Sequence, residues 1–124
     1  MPDTQIIAEN YYQLGRKLRI DGDYDEAIAQ LLLAIDEDPN MELAHMELGL
    51  AYCFVGDFDA SIRELELAAG LAPENADISL NLAKTYTMLG MFPEGKVAFH
   101  CVLNICKPGD LCYEEAVKQL CYFT

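Results

Sequence analysis

Two short stretches carry residue types that could bind a nucleotide or a metal ion. Residues 90–97 (GMFPEGKV) nearly match the phosphate-binding pattern G-x-x-x-x-G-K-[ST]. Val97 stands where that pattern requires the hydroxyl that holds magnesium, so we do not expect nucleotide binding. Residues 21–25 (DGDYD) resemble the start of a calcium loop, but the closing glutamate of such a loop is absent. We therefore expect neither a cofactor nor a calcium site.

The cysteines and histidines are the other candidates for chemistry. The chain has five cysteines and two histidines: Cys53, Cys101, Cys106, Cys112, Cys121, His45 and His100. No C-x-x-C pair occurs, although tetrahedral zinc sites usually show one, so no metal site is expected. Free cysteine is among the most buried residue types, which predicts buried, reduced thiols. Thiol catalysis needs a base beside the cysteine, and with so few histidines we predict that the protein is not an enzyme.

Composition narrows the classes of partner. The chain has 124 residues and a formal net charge of −13, from 21 acidic and 8 basic residues. This charge repels phosphate backbones and anionic membranes, so nucleic acid and membrane surfaces are poor partners. The longest charge-free stretch, residues 97–106, is too short to span a bilayer. The start of the sequence lacks the pattern of a secretory leader, so we expect a cytoplasmic protein.

A repeat of 34 residues organises the chain and must position every candidate residue. Equivalent residues recur at this step in several series: Leu14, Leu48 and Leu82; Gly22, Gly56 and Gly90; Tyr24, Phe58 and Phe92; Leu31, Leu65 and Phe99. Within each unit, the apolar spacing predicts two helices separated by the recurring glycine. Asp23, with Glu26 three residues later, predicts an N-cap for the second helix, and Pro39 predicts its end.

These units resemble the tetratricopeptide repeat (TPR) family. The pattern of Leu-Gly, aromatic, alanine and proline positions fits residues 8–41 and 42–75 closely and residues 76–109 less well. Departures from the pattern include His45, Ser79, Gly95 and Val102. The resemblance implies an all-α, right-handed TPR solenoid that forms a single domain over residues 1–124. Residues 110–123 are expected to form a capping helix that begins at Asp110, because a solenoid must cover its last apolar face.

The resemblance also implies a partner-binding groove formed by the first helix of each repeat. Residues on that helix face are Tyr12, Arg16, Arg19, Leu43, Met46, Leu50, Phe54, Leu80, Asn81, Lys84 and Met88. Three of the eight basic residues in the chain fall in this set. They could face a ligand or could pair with nearby acidic side chains, and the sequence leaves both open. Some TPR domains grip a C-terminal carboxylate with Lys, Arg and Asn, but Glu47 at one of those places would repel it.

The sequence thus predicts a non-catalytic module that binds a peptide or helix of a partner as an adaptor, scaffold or assembly factor. A partly apolar segment flanked by acidic residues is the expected ligand. One alternative is an acidic secretion-type TPR chaperone that holds an apolar client segment. Another is a structural protein that self-assembles by binding a second copy in its groove. The apolar C-terminal end is also predicted to pair with a second copy or a partner, through Leu111, Tyr113, Leu120, Tyr122 and Phe123.

Overall fold

The computed structural model describes residues 4–123, and within them the fold is all-α, as the sequence predicts. The helices are α1 (Thr4–Asp21), α2 (Tyr24–Glu37), α3 (Glu42–Val55), α4 (Phe58–Leu71), α5 (Ala76–Met88), α6 (Phe92–Ile105) and α7 (Leu111–Leu120), followed by a short 3₁₀ helix (Cys121–Phe123). No strand occurs in this part of the chain. Three helix pairs and a terminal helix therefore reproduce the expected order of elements.

The helices form two compact units, Met1–Leu71 and Ala72–Thr124. The first unit contains α1 to α4, in which α1 packs on α2, α2 on α3, and α3 on α4. The second unit contains α5 to α7, in which α5 packs on α6 and α6 on α7. The assignment of residues 1–124 to a single domain stays a prediction.

The turn inside each helix pair is made by a glycine in the left-handed conformation. Gly22, Gly56 and Gly90 have φ values of 90°, 87° and 81°. Residues with a Cβ adopt such φ values at a steric cost, whereas glycine does so freely. The recurring glycine in the sequence thus marks the turn between the two helices of each repeat, as predicted.

A second pair of glycines lets the paired helices approach closely. A Cβ built on Gly15 would lie 2.6 Å from Leu31 Cγ, and one on Gly49 would lie 2.8 Å from Leu65 Cγ. Both separations are shorter than van der Waals contact, so α1 and α3 could not pack this closely on α2 and α4 with any larger residue.

The core of the first unit joins the first two repeats. Six buried residues form one cluster: Tyr12, Ala27, Leu31, Ala34, Ala44 and Leu48. Leu48 is fully buried in this cluster, whereas its repeat equivalent Leu14 is largely exposed on α1. In the second unit, Phe99 and Val102 on α6 and Ala116 on α7 are fully buried. The predicted capping helix, α7, thus supplies Ala116 to the core.

At two predicted N-caps, the side chain does not form the hydrogen bond that was expected of it. Asp23 and Asp110 occupy the N-cap positions of α2 and α7, but neither side chain makes the capping hydrogen bond. The backbone of Asp23 has a ψ of 68°, away from the extended values of an N-cap residue. The Asp110 carboxylate instead accepts a hydrogen bond of 3.0 Å from the Lys107 N–H in the preceding turn.

The cysteines correct the prediction of buried, reduced thiols. Cys106 and Cys112 form a disulfide across the α6–α7 connection, with their Cα atoms 6.4 Å apart. Cys101 and Cys121 are exposed, and only Cys53 is partly buried, where desolvation raises the pKa of its thiol. Nothing in the sequence indicates the pairing, because the five cysteines show no regular spacing. The pairing depends on how the connection after α6 places Cys106 beside Cys112 of α7.

None of the helices in residues 4–123 combines the length and hydropathy needed to cross a bilayer. The cytoplasmic location expected from the sequence stays a prediction.

Candidate functional site

The most organised polar group on the predicted groove face joins α1 to α3. Glu47 on α3 is almost completely buried, with its side chain 3% exposed. Arg19 Nε donates to Glu47 Oε1, and Arg16 Nε lies 3.7 Å from Glu47 Oε2. A buried carboxylate is costly unless it is paired and hydrogen-bonded, and the two guanidinium groups meet that need. The group carries two positive charges and one negative charge, and the Arg16 side chain remains half exposed.

The basic residues of the predicted groove therefore have partners within the chain. Arg16 and Arg19 pair with Glu47, and Lys84 Nζ on α5 lies 3.8 Å from Glu115 Oε1 on α7. A hydrogen bond from Gln119, followed by the charge of Lys84, lowers the pKa of Glu115. The sequence left open whether these basic residues face a ligand or pair with acidic side chains, and the structure shows that they pair. Arg16 and Lys84 still keep about half of their side chains exposed.

The apolar residues of the predicted groove divide by burial. Tyr12 and Met46 are buried, at 7% and 9% exposure, and burial raises the pKa of the Tyr12 hydroxyl. Leu43 and Leu50 on α3 are half-buried, as are Leu80 and Asn81 on α5. Phe54 and Met88 are exposed. Tyr12 belongs to the core cluster, so its ring serves packing, whereas Leu43 and Leu50 keep surface that a partner could cover.

His45 is a buried polar site whose partners the sequence did not reveal. Its Nδ1 lies 2.7 Å from Glu64 Oε1 on α4, and its Nε2 lies 2.7 Å from the carbonyl oxygen of Pro39. Both partners are hydrogen-bond acceptors, so both contacts are satisfied only when the ring carries a proton on each nitrogen. The hydrogen bond to Glu64 is the largest cause that raises the pKa of His45. The feature of the sequence that pointed to this site was His45 itself, because it stands where the repeat pattern has an aromatic residue.

The predicted self-association residues lie on and after α7. Leu111 and Tyr122 are exposed, at 91% and 74%, whereas Tyr113, Leu120 and Phe123 are half-buried. The Phe123 ring lies 6.1 Å from that of Phe92 and 6.3 Å from that of Phe99, so it packs on α6. Self-association at this end stays a prediction.

One group of potential metal ligands lies together in residues 4–123. The ligating atoms of Cys106, Asp110 and Cys112 are within 4.8 Å of one another. Metal binding requires deprotonated thiolates, and both sulfur atoms are consumed by the disulfide. In this form the group cannot hold a metal ion.

Comparison with known proteins identifies the class of fold. The tetratricopeptide repeat family matches residues 8–41, which are the first repeat read from the sequence. The first TPR domain of Spaghetti (RPAP3), solved with an HSP90 peptide, is 21% identical and superimposes with a TM-score of 0.84, covering 98% of this chain and 94% of that one. The TPR domain of Arabidopsis OM64 is 15% identical, with a TM-score of 0.85, covering 98% of this chain and 100% of that one.

MamA is a third structural relative, 27% identical with a TM-score of 0.77, covering 91% of this chain and 74% of that one. Among proteins with curated descriptions, none matches this chain in sequence. Residues 8–41 match the tetratricopeptide repeat family, and the chain has the fold of a TPR domain, as the resemblance implied. The Spaghetti (RPAP3) domain that shares this fold was solved with a peptide bound to it.

Proposed function

We propose that the protein is a non-catalytic interaction module that binds a segment of a partner protein on the α1 and α3 face of its first unit. The observation that carries the proposal is the fold, which the chain shares over nearly its whole length with a TPR domain solved with a bound peptide. The second TPR domain of human RPAP3, solved with an HSP70 peptide, also shares this fold, with a TM-score of 0.83.

The binding face is defined by side chains that keep accessible surface. Leu43 and Leu50 on α3 are half-buried and offer apolar contact, and Arg16 on α1 is half exposed. These residues lie on the helices that the sequence assigned to the groove. Leu50 is the best single probe because it is apolar, partly accessible and outside the core cluster of the first unit.

The chemistry of this face favours an apolar segment with acidic flanks. Apolar contact supplies the main driving force for binding, and the exposed part of Arg16 suits an acidic side chain beside it. Glu47 already occupies Arg19 and part of Arg16, so a C-terminal carboxylate would have to compete with it. An adaptor and a chaperone for an apolar client would use this same face.

The test replaces Leu50 and follows partner binding. Leu50→Glu places a charge on the proposed contact and should abolish binding while leaving helicity, measured by circular dichroism, unchanged. Leu32→Glu is the matched control, because Leu32 is an exposed leucine on α2, outside the proposed face. A photo-crosslinking amino acid at position 50, but not at position 32, should capture a partner segment from lysate of the source organism.

Crosslinking of the same proteins from both positions, or full binding by Leu50→Glu, would contradict the proposal. If Leu50→Glu loses helicity, Leu50→Ser replaces it, since serine adds no charge. Met46 is unsuitable for this test, because it is buried and a glutamate there would destabilise the fold.

The apolar C-terminal end favours a second candidate function, self-association. Leu111 is almost completely exposed and Tyr122 is largely exposed, so both keep surface that a second copy would cover. A second copy of the chain is the proposed partner for this end.

A further inference from the structure

An exposed aromatic stack joins α2 to α3 at the end of the first unit where the glycine turns lie. The rings of Tyr24 and Phe54 are stacked, with centroids 4.8 Å apart and planes inclined by 5°. Phe54 is 61% exposed and Tyr24 is half-buried. The sequence assigned Phe54 to the groove and gave Tyr24 no role beyond the repeat pattern, so the stack is a feature that only the structure shows.

Tyr24 also lines a surface cavity of about 310 Å³. The other residues of its wall are Gly22, Asp23, Asp25, Glu26 and Val55. The wall of the cavity therefore combines one aromatic and one aliphatic side chain with three acidic residues. Within the described part of the chain, no basic residue contributes to this wall.

The carboxylates of this cavity have no basic partner in the described residues, although Asp25 and Glu26 lie in the first turn of α2, where the positive end of the helix dipole offsets part of their charge. None of Asp23, Asp25 and Glu26 takes part in an ion pair within residues 4–123, and the Asp23 side chain does not cap its helix. The cavity also lies in the strongly acidic part of the sequence, because residues 1–75 carry 16 acidic and 4 basic side chains. The surrounding potential therefore attracts cations.

We propose that this cavity binds an arginine side chain of a partner protein. A guanidinium is planar, so it can stack on an aromatic face while its N–H groups donate to carboxylates. Tyr24 supplies the aromatic wall, Val55 supplies apolar contact for the arginine stem, and the carboxylates supply the acceptors. This contact is separate from the segment bound on the α1 and α3 face and requires the opposite charge on the partner.

The test compares two capped peptides of one shape by NMR titration of the isotopically labelled protein. The first is Gly-Leu-Arg-Leu-Gly, and the second replaces arginine with citrulline, which is nearly isosteric but neutral. The arginine peptide should shift the amide signals of residues 22–26 and of Val55, and the citrulline peptide should bind at least about tenfold more weakly, as expected for charge-assisted hydrogen bonds. Added salt should weaken the binding of the arginine peptide more than that of the citrulline peptide.

Two charge-neutralising variants localise the effect. Asp25→Asn with Glu26→Gln should lower the affinity for the arginine peptide by about tenfold, because two of three acceptors lose their charge. Asp36→Asn with Glu37→Gln makes the same change of net charge at the exposed end of α2 and should change the affinity by less than about twofold. Circular dichroism checks that both variants remain folded.

Equal binding of the two peptides, shifts elsewhere on the protein, or equal effects of the two variants would each overturn the proposal. Calcium alone is titrated in parallel as the competing cation. If calcium shifts the same amides and displaces the peptide at equal concentration, the cavity is a metal site and the assignment to arginine is wrong. If raising the protein concentration without any peptide shifts these signals, a second copy of the chain occupies the cavity, and the proposal is again wrong.

Discussion

The side chain of His45 shows how one substitution in a repeat pattern changes the chemistry of the core. Its two ring nitrogens face a carboxylate and a backbone carbonyl, so the protonated ring satisfies both. These contacts tie α3 to α4 and to the Pro39 turn. A phenylalanine could fill a similar volume, but it could not make either hydrogen bond.

The stability of the fold should fall as His45 loses its proton. The hydrogen bond to Glu64 raises the pKa of His45 above its value in the unfolded chain, so the protonated ring stabilises the folded state. This contribution is fully present below about pH 6.5, the pKa of an unperturbed histidine, and is lost as the pH rises through the folded-state pKa. Urea unfolding at a series of pH values from about 5.5 to 8.5 should show the decline.

His45→Phe should remove this decline, because the variant has no proton to lose at position 45. His100→Asn is the matched control, since His100 is exposed on α6, and it should keep the wild-type pH dependence. An unchanged slope in His45→Phe would show that other groups cause the pH dependence.

At the scale of the helices, the position of a glycine decides whether it has a role in packing. Gly49 lies where α3 meets α4, and a Cβ there would be 2.8 Å from Leu65 Cγ and 3.1 Å from the carbonyl oxygen of Ser61. Gly70 lies near the end of α4, and a Cβ there would meet nothing within 4 Å. The first glycine sets the distance between two helices, and the second has no packing role.

Alanine at these two positions should therefore have opposite effects on the free energy of unfolding. Gly49→Ala should destabilise the protein by about 1–3 kcal/mol, the usual cost of overpacking a core. Gly70→Ala should stabilise it by up to about 1 kcal/mol, because alanine favours helix more than glycine does. Chemical denaturation of both variants measures the difference, and a similar loss in both would contradict the close contact between α3 and α4.

The elements were predictable because their signals are local. The glycine turns and the apolar spacing in each 34-residue unit predict the helix pairs without knowledge of tertiary contacts. The pairing of Arg19 with Glu47 was one of several options, because these residues are 28 positions apart and the choice depends on how α1 lies against α3. The disulfide was missed for the same reason, and the stack of Tyr24 on Phe54 depends on two helices meeting.

Over the whole molecule, the net charge is divided unevenly between the two units. Residues 1–71 carry 15 acidic and 4 basic side chains, a net charge of −11, whereas residues 72–124 carry 6 and 4, a net charge of −2. Self-repulsion therefore opposes contact between copies of the first unit far more than between copies of the second. Leu111 and Tyr122 belong to the second unit.

Self-association should therefore be measurable and should depend on the C-terminal end. Light scattering should give a mass that rises with protein concentration in the high micromolar range. Leu111→Lys with Tyr122→Lys should return the protein to a monomer, because two charges would enter the contact. Ile20→Lys, at an exposed apolar residue of α1, is the control and should not change the mass. A wild-type monomer at every concentration would refute this prediction.

The disulfide between Cys106 and Cys112 closes a covalent ring around the exposed connection of residues 107–111. Exposed connections are where proteases cut most readily. A single cut inside this ring would leave α7 attached through sulfur, and the nicked chain would migrate as one species on a denaturing gel until a reductant separated the fragments. The terminal helix is thus protected against loss by proteolysis at the very segment where proteolysis is easiest.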